Sequence, residues 1–285
     1  MGAVRTPTPG SESIVAPRRE TGARSRLARH LFLWVSLVAA PLAAASACGP
    51  SGEPVLVLAA ASTIDALEAA VAEFHAAGED VVEVSFGSTS VLARQIEEGA
   101  PAGLFLSASV EWADYVEERV AVTRRVALAG NQLAVVVPAA ASSEELTLQQ
   151  VAAAAHLQRL AIADPASVPA GIYAAQALRA LGLWEAVQPR LLPAVDVRAA
   201  LALVAGAEAD AGFVYATDAL GTGNRVRVIT RVDVSLHDAI EYPLLLLGDA
   251  AQPAAERLFG YLTSAAGRAH FHQRGFVDPS TPANR

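Results

Sequence analysis

Apolar runs of strand length alternate along this chain with segments of helical period. Val55-Leu-Val-Leu-Ala-Ala is apolar throughout, as a strand buried on both faces of a parallel sheet must be. Leu67, Val71 and Phe74 then share one face of a helix that Ser62 or Thr63 would cap and Gly78 would stop. Residues 81–86 read as the next strand. Gly87-Ser88-Thr89-Ser90 opens a helix over 91–98. A short strand within 101–108 and a helix over 111–118 follow. This βαβα alternation predicts a parallel sheet with right-handed crossovers.

Strands at 126–128 and 133–137 bracket Gly130-Asn131, a turn dipeptide where the chain is expected to cross into a second lobe. A helix over 147–155 precedes the strand 159–163. That strand runs into Asp164-Pro-Ala-Ser-Val-Pro-Ala-Gly and a helix over 172–181. Helices over 184–191 and 198–205 follow, the second starting near Asp196 and Val197, then a strand ending at Tyr215. Strands at 226–231 and 242–247 return the chain, and helices over 252–263 and 265–274 close it. The expected fold class is α/β in two lobes, each a mostly parallel sheet flanked by helices, with a ligand in the interlobe cleft. Residues 55–129 plus 238–285 would form lobe one and 130–237 lobe two, hinged near Gly130 and near 233–240. No repeat of 20–50 residues is visible. Gly221-Thr-Gly-Asn is a turn without the helix that a dinucleotide loop needs.

The first 47 residues do not belong to this pattern. Met1–His30 is rich in Arg, Pro, Ser and Gly, and Leu31–Ala47 is apolar and small. These are the n-region, h-region and cleavage site of an export signal, longer than usual at the start. A retained spanning helix is the alternative for the apolar run. Cys48 is the only cysteine, so it makes no intramolecular disulfide. It follows small residues and precedes a polar tether, 48–54. That placement resembles a lipoprotein signal with Cys48 as the lipidated residue, although Ala45 stands where such signals usually have Leu.

Removing 1–47 takes away six Arg and two Glu, so the net charge moves from −8 to −12. Every cation in the remainder is Arg or His; there is no Lys. An acidic body without a basic patch argues against nucleic acid. An anion bound here would be held by local geometry, against a repulsive overall field.

That geometry is suggested by four strand-to-helix turns: Ser62-Thr63, Ser88-Thr89-Ser90, Val168-Pro-Ala-Gly and Asp196-Val197-Arg198. A phenol, Tyr215, ends a fifth strand. Ligands of doubly wound sheets sit beyond the carboxyl ends of strands, where helix N-termini offer unpartnered N–H groups to anions. Hydroxyls and amides donate to an oxyanion without adding full charge, at roughly 1.5–3 kcal/mol for each charge-assisted bond. The plain alternative for each Ser or Thr, and for Asp196, is a helix cap, and for Tyr215 a packed core residue.

Ala59-Ala-Ala-Ser-Thr, Phe86-Gly-Ser-Thr-Ser-Val-Leu-Ala-Arg-Gln, Gly130-Asn131, Val168-Pro-Ala-Gly-Ile-Tyr-Ala, Val195-Asp-Val-Arg-Ala-Ala and Val214-Tyr215 resemble, in order, the molybdate-binding proteins of molybdate ABC transporters. The resemblance implies a two-lobed type II solute-binding fold with the oxyanion between the lobes. It implies Ser62 and Thr89 as hydroxyl and amide donors, Ala170 and Val197 as backbone N–H donors, and Tyr215 as a phenol donor, with Ser88 as an additional candidate. It implies molybdate or tungstate as the ligand, no cofactor, and no side chain bound to the metal itself. It implies a monomer at the extracytoplasmic face serving a permease and its cytoplasmic ATPase; the lipid anchor is what the Cys48 signal adds. Thr89 stands where some relatives have Ser, and Gly103 where Asp is usual.

The alternatives are a binding protein for sulfate or another anion, a sensor domain of the same fold, and an enzyme. Against an enzyme, there is no Gly-x-Ser-x-Gly elbow, His-Glu-x-x-His or phosphate-binding Lys loop. His75, His156, His237, His270 and His272 are scattered, and a surface helix is the plain reading of His270 and His272.

Overall fold

The computed structural model describes residues 54–141, 144–248 and 252–279. The export segment, Cys48 and the tether up to residue 53 lie outside them. The order begins β1 (Val55–Ala60), α1 (Ile64–Ala76), β2 (Val82–Gly87), α2 (Thr89–Glu97), β3 (Leu104–Leu106), α3 (Val110–Glu117) and β4 (Val122–Gly130). It continues β5 (Leu133–Pro138), α4 (Leu148–Ala153), β6 (Leu160–Ala163), α5 (Pro169–Ala180), α6 (Trp184–Val187), β7 (Leu191–Ala194) and α7 (Val197–Ala205). It ends β8 (Ala211–Tyr215), α8 (Ala216–Leu220), β9 (Val226–Arg231), β10 (Glu241–Leu247), α9 (Pro253–Thr263) and α10 (Ala265–His272).

The strands form two five-stranded sheets, ordered β2-β1-β3-β10-β4 and β7-β6-β8-β5-β9. Each is mixed. β1, β2 and β3 are parallel in the first sheet, as are β6, β7 and β8 in the second. The other half of each sheet is antiparallel, and its inner strand is β10 or β5. These two strands enter just after the chain has passed from the other sheet. The two sheets therefore share one strand order with no repeat in the sequence.

Side-chain alternation accounts for the layers. Val57, Ala59, Leu104, Leu106, Leu244 and Leu246 pack into the main core, while Leu58, Phe105 and Leu245 face α2 and α3 on the opposite side. A sheet buried on both faces needs the apolar runs that β1, β3 and β10 supply. Each buried Val, Leu or Phe among them contributes about 1.5–3 kcal/mol.

Local details differ from the expectations or add to them. The helix expected over 184–191 ends at Val187, and Gln188–Arg190 forms a 3-10 turn. Pro189 within it lacks an N–H and clashes with the preceding turn. Leu191–Ala194 is then an edge strand, β7. Helix α5 begins at Pro169, not Ile172, because proline is pre-set for the first helical position. Thr147 and Gln150 form a reciprocal capping box on α4.

Candidate functional site

The parallel strands of each sheet end in three turns, and all six turns meet. Ala60–Ser62 follows β1, Gly87–Thr89 follows β2 and Ala108 follows β3. Val168–Ala170 follows β6, Asp196-Val197 follows β7 and Tyr215 ends β8. Together they line one cavity of about 220 Å³, its mouth included. Ser62, Ser88, Thr89, Ala170, Val197 and Tyr215 are therefore brought together from positions spread over more than half of the chain. No Arg is among the lining residues.

The hydroxyls are not used as helix caps. Ser62 and Thr63 were the expected caps of α1, but neither makes a side-chain cap bond. Thr63 Oγ1 donates instead to the Ala60 carbonyl at 2.7 Å. Ser88 precedes α2 without capping it, and its Oγ lies 2.9 Å from Ser90 Oγ. Thr89 Oγ1 accepts from Ala108 N at 3.2 Å, which leaves its own proton for the cavity. Ser62 Oγ lies 2.9 Å from the Tyr242 hydroxyl. The Tyr215 hydroxyl is buried and has no protein partner.

Backbone donors complete the wall. Helices α2 and α5 start with no side-chain cap, so their first N–H groups stay unpartnered by side chains. Pro169 offers no N–H, which makes Ala170 the first amide of α5. Asp196 caps α7 as the plain reading held, accepting from Ala199 N at 2.8 Å. That bond leaves Val197 N uncommitted. Gly171 lets α5 approach β6: a Cβ there would lie 2.0 Å from the Ala163 carbonyl oxygen.

Behind the wall lies a charged cluster that sequence reasoning missed. Arg198 Nε is 2.7 Å from Asp218 Oδ1, a charge contact bent too far for a hydrogen bond, and Arg198 Nη2 is 2.7 Å from Asp65 Oδ2. Asp218 Oδ2 accepts from Tyr215 N at 3.1 Å. Burial pushes the Asp218 carboxyl up to about 6, against the pull of Arg198. Burial would lower Arg198, but Asp218 and Asp65 outweigh it and raise it. Burial also holds the Tyr215 phenol well above its ordinary range, so it stays a donor. The signal available for Asp218 was its place three residues after Tyr215, the capping-box spacing. Asn131 and Tyr242 were also missed; the partners they hold across the fold are 86 to 180 positions away in sequence.

The histidines lie elsewhere. His75 Nε2 accepts from Val82 N at 3.0 Å, His270 faces Glu73 at 3.0 Å and His272 faces Asp278 at 3.1 Å. Among the described residues no His, Cys, Asp or Glu cluster is placed to hold a metal ion.

The sequence profile of the bacterial extracellular solute-binding proteins matches residues 55–277. The chain belongs to this family. Its members bind solutes and are not enzymes. A molybdate-binding protein, ModA, of Escherichia coli K12 is 40% identical over 229 residues, covering 78% of this chain and 88% of the relative. Among solved structures, the Azotobacter vinelandii periplasmic molybdate-binding protein superposes with a TM-score of 0.69 at 24% identity, over 78% of this chain and 98% of that one. The Mycobacterium tuberculosis sulfate-binding protein SubI gives a TM-score of 0.67 at 16% identity, over 79% and 86%. Similar superposition on a molybdate and a sulfate binder means that this solute-binding fold by itself says nothing about which anion is held.

Proposed function

We propose that this chain captures molybdate, and tungstate with it, as the dianion in the six-turn cavity. Ser62, Thr89 and Tyr215 donate through hydroxyls and Ala170 and Val197 through backbone amides, with Ser88 as an additional donor. The observation that carries this reading is the convergence of donor hydroxyls and uncapped helix starts on one cavity whose lining includes no Arg. Such a wall suits an anion that is to be released again, because it grips without a buried counter-charge. The 40% identity to a molybdate-binding relative supports molybdate over other oxyanions.

The sheet of β1–β4 and β10, with residues 55–129 and 238–285, acts as one lobe, and residues 130–237 act as the other. Opening bends the two crossings, near Gly130 and near 233–240. The protein works as a monomer on the extracytoplasmic side, anchored through a lipid on Cys48, and delivers its ligand to a permease driven by a cytoplasmic ATPase. Calorimetric titration of residues 49–285 with molybdate, alone and in excess sulfate, tests this. Tight one-to-one binding that survives sulfate is expected. Binding abolished by modest sulfate would favour a sulfate site, and no binding of either would remove the oxyanion reading.

A further inference from the structure

The hydrogen bonds behind the cavity run in one direction. Asn131 Oδ1 accepts from Gln132 N at 2.9 Å, which fixes how the amide is turned. Its Nδ2 can only donate, and it does so to Thr217 Oγ1 at 2.9 Å and to the Tyr242 hydroxyl oxygen at 3.1 Å. The Tyr242 oxygen thus accepts on that side, and its proton has Ser62 Oγ, at 2.9 Å, as its partner. Burial pushes the Tyr242 phenol far above its ordinary range, so the proton stays on. Ser62, Asn131, Thr217 and Tyr242 are all at most 7% exposed, which keeps water from reversing the order. Ser62 Oγ is left accepting from Tyr242, with its own proton free toward the cavity that Ser62 lines.

We infer that Asn131 and Tyr242 are positioning residues that hold the Ser62 hydroxyl as an obligatory donor, so that the cavity demands a fully deprotonated oxygen at that point; this rests on the oxyanion reading above. Thr89 is oriented the same way by the Ala108 amide. Molybdate offers only acceptor oxygens. Hydrogen phosphate carries one O–H that needs an acceptor, and at the Ser62 and Thr89 positions that O–H would meet a donor instead.

The test compares wild type, Tyr242→Phe and Asn131→Asp by calorimetry at pH 8 with molybdate and with inorganic phosphate, alongside thermal melts. Tyr242→Phe frees a Ser62 lone pair. It should weaken molybdate binding roughly tenfold and narrow the molybdate-to-phosphate affinity ratio by a similar factor. Asn131→Asp keeps the shape but offers only acceptors. Tyr242 then turns its proton to residue 131, Ser62 donates to Tyr242, and a lone pair faces the anion. Molybdate affinity should fall by about a hundredfold or more. A purely structural role would lower stability without moving the ratio. An unchanged ratio in Tyr242→Phe, with or without loss of affinity or melting temperature, overturns the inference and leaves the molybdate reading standing. A wild type that binds no molybdate overturns both.

Discussion

Tyr215 and Tyr242 are neighbouring buried phenols, 6.1 Å apart ring to ring and edge-on, with opposite hydrogen bonding. Tyr242 has two partners, Ser62 and Asn131, while the Tyr215 hydroxyl has none and lines the cavity. Tyr215→Phe should therefore weaken molybdate binding about tenfold to a hundredfold, the worth of one charge-assisted bond. It should leave the ligand-free melting temperature intact, because no protein group loses a partner. Calorimetry and scanning calorimetry on the same sample decide it. Full affinity in the variant would take Tyr215 out of the site.

Gly171→Ala probes the approach of α5 to β6. The added Cβ would meet the Ala163 carbonyl oxygen at 2.0 Å and its carbon at 2.7 Å. Backbone must move, at about 1–3 kcal/mol, or about 2–4 °C in melting temperature for each kcal/mol at this size. The shift carries the Ala170 amide with it, so molybdate affinity should drop at least about tenfold. A variant with normal melting and normal affinity would refute this account of the turn.

The Arg198 cluster predicts unequal costs. Asp218 is fully buried and Asp65 is 43% exposed at its side chain. Arg198→Gln strands the Asp218 charge and should cost about 3–5 kcal/mol in urea unfolding. Asp65→Asn should cost no more than about 1 kcal/mol, given its solvent screening. Adding Asp218→Asn to Arg198→Gln should recover part of the loss. Additive effects in that double-mutant cycle would mean the two groups do not interact.

Asp218 also sets a pH dependence. Its carboxyl has an ordinary value of 3.8 and is raised to about 6 by burial. Between those values the folded chain holds the proton more tightly than the unfolded one, so stability falls as pH rises through this window. Over two units that is roughly 3 kcal/mol. Burial lowers His237, which acts in the opposite sense up to pH 6.5, but it is common to wild type and Asp218→Asn. The stability of wild type minus that of Asp218→Asn should therefore decline from pH 4 to pH 6.5. A flat difference would contradict a raised Asp218.

Strands β1 and β8 could be read from sequence because continuous apolar runs need burial on both faces. The cavity turns could be read because Ser, Thr, Gly and Pro cluster where strands give way to helices. Edge strand β7 could not: Pro193 within it looks like a breaker, and its missing N–H is tolerated because β7 lies at the sheet edge. The polar relay was hidden for another reason. Ser62 and Tyr242 are 180 positions apart, and which hydroxyl gives its proton depends on an amide orientation fixed in three dimensions. Ser62 read as a helix cap for the same reason: its actual partner is invisible to local spacing.

The shared strand order makes the cavity two matching tripods, each built from the ends of three parallel strands. In the molybdate reading, either tripod alone would be an ordinary weak anion grip. The pair works as a chelate, with the second grip acting at the high effective concentration set by a short crossing. Affinity then multiplies across the two halves, and a modest rotation that parts them removes the multiplier at once. A transporter that pries the halves apart would need to break no strong single bond to empty the site.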